Sequence, residues 1–379
     1  MVHMYYKCTR WTPEAVQGPG ERSLSRGRVE GKQSPAGEPV TVMPLPSRFI
    51  SKRTLSKRTS TLTVSLSFFI SLSLFLLLPA CSRRSNTIAI IPRACGTALW
   101  EPEHAGATQV ARRKGWNVYW NASPREDDVE GQIDFLKKVV ARGYAGIIIT
   151  PDQTLPLRTP IRRIVSGGLP LVVVGTNLGI APSPKLSYVL NDDTAGGQMG
   201  ARRIGKILDG KGSIAILGIN PQLTGITTRE RSFENTLERE YPNIHVVARR
   251  LGYYSLPQEQ QVAEDILNRG EAVDAIVALS HISTRGAFYA LVEFDKARTI
   301  KLVGFDQDLM APIRTGGIDS VVMERTYDMG RIAMELMDGQ AHGRIVPGMS
   351  VVLPVLMTRE NIDSPEIRQQ LTANWWAAQ

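Results

Sequence analysis

Cysteine is scarce in this chain: three residues in 379, at Cys8, Cys81 and Cys95. Cys8 falls in a head rich in Gly, Pro, Ser and Arg, and Cys81 ends an apolar segment, which leaves Cys95 without an obvious partner. No disulfide framework is expected, so stability must come from a buried core. The five histidines are scattered, and no His/Cys/Asp/Glu set has metal-ligand spacing. G-x-G-x-x-G after a strand, a P-loop and a G-x-S-x-G elbow are all missing. Gly196-Gly197-Gln198-Met199-Gly200 comes closest, and reads as a helix start whose small residues permit close packing. With no defensible acid/base pair or Ser-His-Asp set either, neither catalysis nor a cofactor is expected.

A one-signed charge is also missing where it would matter. The formal charge of +9 and the pI near 9.5 point towards nucleic acid at first sight. Of the 45 Lys/Arg and 36 Asp/Glu, residues 1–80 hold 11 and 4, so the remainder carries 34 against 32. The basic excess therefore belongs to the leading segment, and nucleic acid is not an expected partner.

That leading segment has an order of its own. Basic residues Lys52-Arg53 and Lys57-Arg58 precede an apolar run from Leu62 to Leu78, and Leu78-Pro79-Ala80-Cys81 follows. Charge, grease and small residues at a cut site form the layout of an export signal. With Cys directly after the small residue, the segment resembles a bacterial lipoprotein signal. That resemblance implies that Cys81 is acylated and becomes the first residue of a protein tethered to membrane in the periplasm or at the cell surface. A transmembrane anchor is the alternative, but Ser65, Ser67, Ser71 and Ser73 interrupt the run, which is short of the roughly 20 residues a span needs. Residues 1–42 read as a disordered head, and Met43 offers a second start.

What is abundant is alternation. Apolar strand candidates Thr87–Ile91, Asn117–Trp120, Ala145–Thr150 and Leu171–Val174 are separated by helical stretches near Glu103–Lys114, Val129–Arg142 and Thr159–Ser166. Arg142-Gly143 and Ser166-Gly167-Gly168 read as helix ends. The pattern restarts with strands at Ser213–Leu217, His245–Arg249, Ala275–Leu279, Lys301–Phe305 and Asp319–Met323, and a late β segment at Val351–Val355. The second set of helices lies near Thr194–Leu208, Thr227–Glu240, Gln258–Asn268, Arg285–Asp295 and Tyr327–Met337. Such alternation predicts an α/β fold of two doubly wound, Rossmann-like parallel-sheet lobes. Ligands of such sheets bind beyond the carboxyl ends of the strands.

Six stretches in order carry a further resemblance: Asn86–Ile91, Ile147–Asp152, Leu169–Val174, Asn191–Gly197, Thr228–Phe233 and Val303–Asp306. Over residues 86–358 the chain resembles the type I periplasmic binding proteins of the ribose-binding class, which share their fold with the effector domains of lac-repressor-like regulators. The resemblance implies two lobes joined by a three-strand hinge with crossings near Asn191, Glu324 and Ser350. Together with the leading segment and the tail, the expected division is a signal (43–80), a lipidated tether (81–86), lobe 1 (87–191 plus about 325–350), lobe 2 (192–324 plus about 351–360) and a helical tail (361–379). It also implies a ligand site. Arg229 falls on an arginine whose fork binds adjacent hydroxyls, and Asp306 on an aspartate that accepts from them. Trp100 falls on an aromatic that presses on the sugar ring, with Tyr253 or Tyr254 opposite. Glu324 stands near the last crossing, and Asp152 beside a polar contact. Two positions depart from the family pattern. Gly175-Thr176 replaces an Asp-Arg pair, and Ser280-His281 replaces Asn-Asp, leaving Thr176, Ser280 and His281 as altered contacts.

The expected function is capture of a small polar solute, a carbohydrate other than ribose or else a non-sugar polar metabolite, with an ABC transporter permease as partner and a monomer as the working unit. A sensory receptor, a transcription regulator and an enzyme on the same fold are the alternatives. The regulator needs a DNA-binding head where this chain has a signal.

Overall fold

The structure, a computed structural model, describes residues 85–374 apart from positions 124 and 271. Cys8, the signal, Cys81 and Trp375-Trp376 lie outside the described residues.

The first sheet contains β1 (Ser85–Ile91), β2 (Asn117–Trp120), β3 (Tyr144–Ile149), β4 (Leu171–Val174), β5 (Leu186–Asn191) and β11 (Met349–Val352). Its order is β11-β5-β4-β3-β1-β2, parallel throughout. The second sheet contains β6 (Lys211–Ile219), β7 (Asn243–Leu251), β8 (Ala275–Ala278), β9 (Lys301–Phe305), β10 (Ser320–Met323) and β12 (Val355–Thr358). Its order is β12-β10-β9-β8-β6-β7, and only β12 runs antiparallel. Central strands such as β4 (Leu-Val-Val-Val) and β8 (Ala-Ile-Val-Ala) are buried along their whole length, because helices cover both faces of each sheet.

Helices α1 (Glu101–Lys114), α2 (Val129–Ala141), α3 (Thr154–Ser166) and α9 (Thr326–Ala341) pack on the first sheet. On the second lie α4 (Asp193–Ile207), α5 (Thr224–Glu240), α6 (Leu256–Asn268), α7 (His281–Glu293), α8 (Met310–Thr315) and α10 (Pro365–Gln370). Helices meet backbone to backbone at glycines. A Cβ on Gly106 of α1 would lie 2.0 Å from the Tyr327 carbonyl oxygen of α9, and one on Gly197 of α4 would lie 2.3 Å from the Arg229 carbonyl oxygen of α5. The glycine run at 196–200 is thus a packing device that seats α5, and with it Arg229, against the inter-lobe crossing.

Three segments cross between the sheets. Asp192 links β5 to α4 and caps that helix by accepting from the Ala195 N–H. Glu324-Arg325 links β10 to α9, and Leu353-Pro354 links β11 to β12. The Asp192 N–H donates to the Val352 carbonyl at 2.9 Å, so the first and third crossings are tied together.

Three expectations change. The late β segment is two strands in different sheets, with the crossing at Leu353-Pro354 rather than near Ser350; Ser350 lies within β11 of the first sheet. Of the expected tail helix, the described residues hold α10 alone, whose Ile367 enters the second core while the Gln370 amide donates to Asp328 of α9 at 2.9 Å. Helix α7 begins at His281 instead of Arg285, because Ser280 caps it by accepting from the Ser283 N–H.

Candidate functional site

The carboxyl ends of the two sheets face each other, and the segments beyond the strands meet there. Lobe 1 contributes Arg93 after β1, Glu126 after β2, Asp152 after β3 and Thr176 after β4. Lobe 2 contributes Tyr254 after β7, Ser280 and His281 after β8, and Asp306 after β9, with Glu324 on the second crossing. The lobes are closed on one another: the Thr154 N–H donates to the Gln222 carbonyl at 3.3 Å, and His281 Nε2 lies 3.2 Å from Glu126 Oε1.

Arg229 is the centre of the lobe-2 side. It stands in α5 with 3 % of its surface exposed. Its guanidinium donates to Asp193 Oδ1 at 2.8 Å, Glu324 Oε1 at 2.9 Å, Asp306 Oδ1 at 3.1 Å and the Leu279 carbonyl at 2.7 Å, and it lies 4.7 Å above the Phe305 ring. The fork expected to hold ligand hydroxyls is therefore engaged by protein acceptors. Asp306 reaches it from a left-handed backbone, φ 58°, which turns the side chain back over the end of β9. Burial pushes the Glu324 carboxyl upward, with Asp306 adding to that and Arg229 opposing it.

Sequence reasoning missed the two side chains that organise lobe 1. Arg93 donates to the Pro151 carbonyl at 2.9 Å and to Thr176 Oγ1 at 3.1 Å, and lies 5.5 Å over the Trp100 ring. The charge that Gly175-Thr176 lacks is thus supplied by a neighbouring loop and lands on Thr176 itself. Glu126 Oε1 accepts from Trp100 Nε1 at 2.8 Å and pairs with His281. Burial opposes the charge on Glu126, but His281, Arg93 and the indole N–H outweigh it and hold the carboxyl below its ordinary range. Burial likewise opposes protonation of His281, and Glu126 outweighs it, moving the imidazole up to about 9. Position alone offered a signal, since both residues sit in loops at strand ends.

The remaining expected residues fall into three groups. Thr176, Arg229, Tyr254, Asp306 and Glu324 line an enclosed cavity of about 30 Å³ together with Arg93. Asp152, Tyr253 and Tyr254 line an outer inter-lobe cavity of about 330 Å³ together with Glu126 and Asn220. Three others line neither. Trp100, 2 % exposed, is packed with Ala94 and Leu99 and covered by Arg93, Ser280 is a helix cap, and His281 faces Glu126. Cys95 is half-buried.

Asp152 differs from every other carboxylate here. It is 4 % exposed, and neither carboxylate oxygen has a hydrogen-bond partner, although its backbone N–H is fixed by Gln132 Oε1 at 2.9 Å. Burial pushes its carboxyl up to about 8 against the pull of Arg93. Tyr254 is held at φ 52° by Glu259, which accepts from the Tyr253 and Tyr254 N–H groups at 2.7 and 3.3 Å. Among the described residues no cluster of His, Cys, Asp and Glu could hold a metal ion, and no helix is long and apolar enough to cross a membrane.

Comparison with known proteins agrees with this architecture. The chain is 24 % identical over 269 residues to the D-allose-binding periplasmic protein of Escherichia coli, covering 68 % of this chain and 86 % of that one. It is 22 % identical over 299 residues to the ribose import binding protein of Bacillus subtilis, covering 74 % and 94 %. A carbohydrate transporter solute binding protein from Agrobacterium radiobacter, solved with D-arabinose, superposes with a TM-score of 0.71 at 23 % identity over 77 % of this chain and all of that one. The likeness in structure shows the fold: two mostly parallel six-stranded sheets flanked by helices. The family model for the periplasmic binding protein domain matches residues 88–345, and the chain belongs to that family.

Proposed function

We propose that this protein captures a small polar solute, a carbohydrate, between its lobes outside the cytoplasm and presents the closed form to an ABC transporter permease. It binds rather than transforms its ligand. One observation carries the reading: Asp152, in a wall shared by both lobes, keeps two buried carboxylate oxygens without a hydrogen-bond partner while the lobes are closed. A buried carboxylate without donors is costly, and the hydroxyls of a sugar are donors of the right kind. A solute that touches both lobes contributes its affinity only to the closed form and shifts the population towards it. The names of the relatives support the carbohydrate class.

A thermal-shift screen of the purified protein against monosaccharides and polyols tests this. At least one should raise the melting temperature. Asp152→Ala should weaken that ligand roughly 2–10-fold, as loss of a hydrogen bond costs about 0.5–1.5 kcal/mol. The absence of any stabilising sugar, or an unchanged affinity in Asp152→Ala, would count against the proposal.

The segment before the described residues supports a lipid anchor at Cys81. Cys81→Ser should move the protein from the membrane fraction to the soluble fraction of expressing cells. Retention in the membrane fraction would turn the apolar run into a span.

A further inference from the structure

We infer that the far end of lobe 1, where the chain enters from the leading segment, is a docking face for an anionic lipid surface. The inference goes beyond solute capture and rests on the membrane attachment proposed above, whether Cys81 or the apolar run provides it.

The topology defines the face. All six strands of the first sheet are parallel, so helices α1, α2, α3 and α9 run back and end beside the amino ends of the strands, opposite the cleft. Strand β1 starts there: Ser85 stands opposite Tyr144, and the Asn86 amide donates to the Gly115 carbonyl at 2.6 Å. From Cys81 to Ser85 the chain advances four residues, a reach of at most about 14 Å. Attachment at Cys81 therefore holds this end, and not the cleft, close to the membrane. Attachment through Leu78 lengthens the reach to about 25 Å.

The same end is strongly basic. Its five turns, residues 112–117, 137–144, 162–170, 181–186 and 335–349, hold ten Lys/Arg against two Asp/Glu. Nine of the ten cations are exposed, and Lys185 is half-buried. The two acids, Glu335 and Asp338, are answered by Arg113, Lys114 and Arg344. Cations at helix C-termini also complement the helix dipole, which is their ordinary explanation. Lobe 2 tests that explanation, because its helices end in the same way. Its five corresponding turns, residues 206–213, 237–243, 267–275, 293–301 and 314–320, hold eight of each sign. Helices α6 and α7 have no basic residue in their last turn. The dipole does not account for a net +8 at one lobe and none at the other. A polybasic surface is drawn to anionic lipid within about a Debye length, some 8 Å, and the short tether permits that approach. On this face the turn between α9 and β11 carries Ile345, wholly exposed beside Arg344. An apolar side chain among cations suits the headgroup boundary, where its burial adds to the attraction of the charges. Docked in this way, lobe 1 keeps the cleft turned from the lipid, and solute can enter while the protein rests on the membrane.

Hydrogen exchange of the full chain measures the docking, with vesicles of phosphatidylcholine alone or mixed with phosphatidylglycerol. At low salt, amides in 137–144 and 340–348 should exchange roughly three-fold or more slowly on the anionic vesicles than on the neutral ones. Salt at about 0.5 M should erase the difference. The lobe-2 turns 293–301 and 314–320 should not change. Lys138→Glu, Arg162→Glu and Arg163→Glu together should remove the protection. Ile345→Ser, on an exposed turn, should reduce it and gives a second readout if the triple variant does not fold. Equal protection on both kinds of vesicle, or protection of the lobe-2 turns in place of these, overturns the inference. So does protection by a DNA duplex with none by anionic vesicles, which would make the face one for nucleic acid. Fractionation of Cys81→Ser tests the anchor and these amides test the face, so either can fail alone.

Discussion

Arg229→Met should abolish ligand binding and lower the melting temperature by roughly 10 °C. Removing one partner of a buried ion pair costs about 3–5 kcal/mol, and each kcal/mol is worth about 2–4 °C in a protein of this size. Here the loss is worse placed than in a simple pair, because one guanidinium holds Asp193, Asp306 and Glu324 apart from each other's charge. Methionine preserves the bulk over Phe305 and isolates the electrostatic part of the effect. Arg229→Lys should fall between the two, since an ammonium cannot reach three carboxylates and the Leu279 carbonyl together. Adding Asp306→Asn to Arg229→Met should restore part of the lost stability by removing one of the stranded charges. Differential scanning fluorimetry with and without ligand measures all of these. A melting temperature within 2 °C of the parent would show that the cluster is not the anchor of lobe 2.

The second large effect concerns pH. His281 on lobe 2 faces Glu126 on lobe 1, with Asp306 and Asp308 also near, while Arg93 and Trp100 approach Glu126 from its own side. The pair exists only when the lobes are closed. The imidazole is raised from its ordinary 6.5 to about 9 in the closed form. Its contribution to closure is therefore complete below pH 6.5 and is lost as pH rises through about 9. The difference of more than two pH units corresponds to on the order of 100-fold in the closing equilibrium. Glu126 is shifted downward, so its own contribution is present above the ordinary carboxyl value of 4.5 and is lost only in acid. Asp152, raised to about 8, acts in the same sense as His281, since a raised carboxyl favours the closed form below its ordinary range and disfavours it as pH rises. Small-angle scattering of the ligand-free protein should show the compact form near pH 6 giving way to an open one by pH 9. Glu126→Gln should move that opening to lower pH. A radius of gyration constant from pH 6 to 9 would contradict the latch.

How much of this could be read beforehand follows from what each residue's neighbours in sequence say about its neighbours in space. Strands β2, β4 and β9 are compact runs whose edges coincide with polar or glycine breaks, and their limits were legible to the residue. Strand β5, Leu-Ser-Tyr-Val-Leu-Asn, was not read as a strand, because Ser187 interrupts its apolar pattern; in the fold that hydroxyl is met by the Pro347 carbonyl and the Gln340 amide. Strands β11 and β12 merged into one apolar run because Pro354 was read through, although it is the local mark of the point where the chain changes sheets. Arg229, Asp306, Tyr254 and Glu324, which the structure brings to one small cavity, were singled out because a family pattern pointed at them. Arg93 and Glu126 were not. Glu126 sits in Arg125-Glu126-Asp127-Asp128, which reads as a solvated turn, and only the approach of lobe 2 buries its side chain to 8 % exposure. Burial created by the meeting of two lobes leaves no periodicity in either.

The bond between the Asp192 N–H and the Val352 carbonyl has one more consequence. It binds two of the three crossings into a single ribbon. Both partners stand at the same end of the first sheet, so the two segments leave it for the other lobe side by side. Two segments that leave a sheet together bend together, and the motion they favour between the lobes is an angle. A solute of another size changes that angle rather than the register of the two faces, so a docking partner that touches both lobes can gauge the cargo by its opening alone.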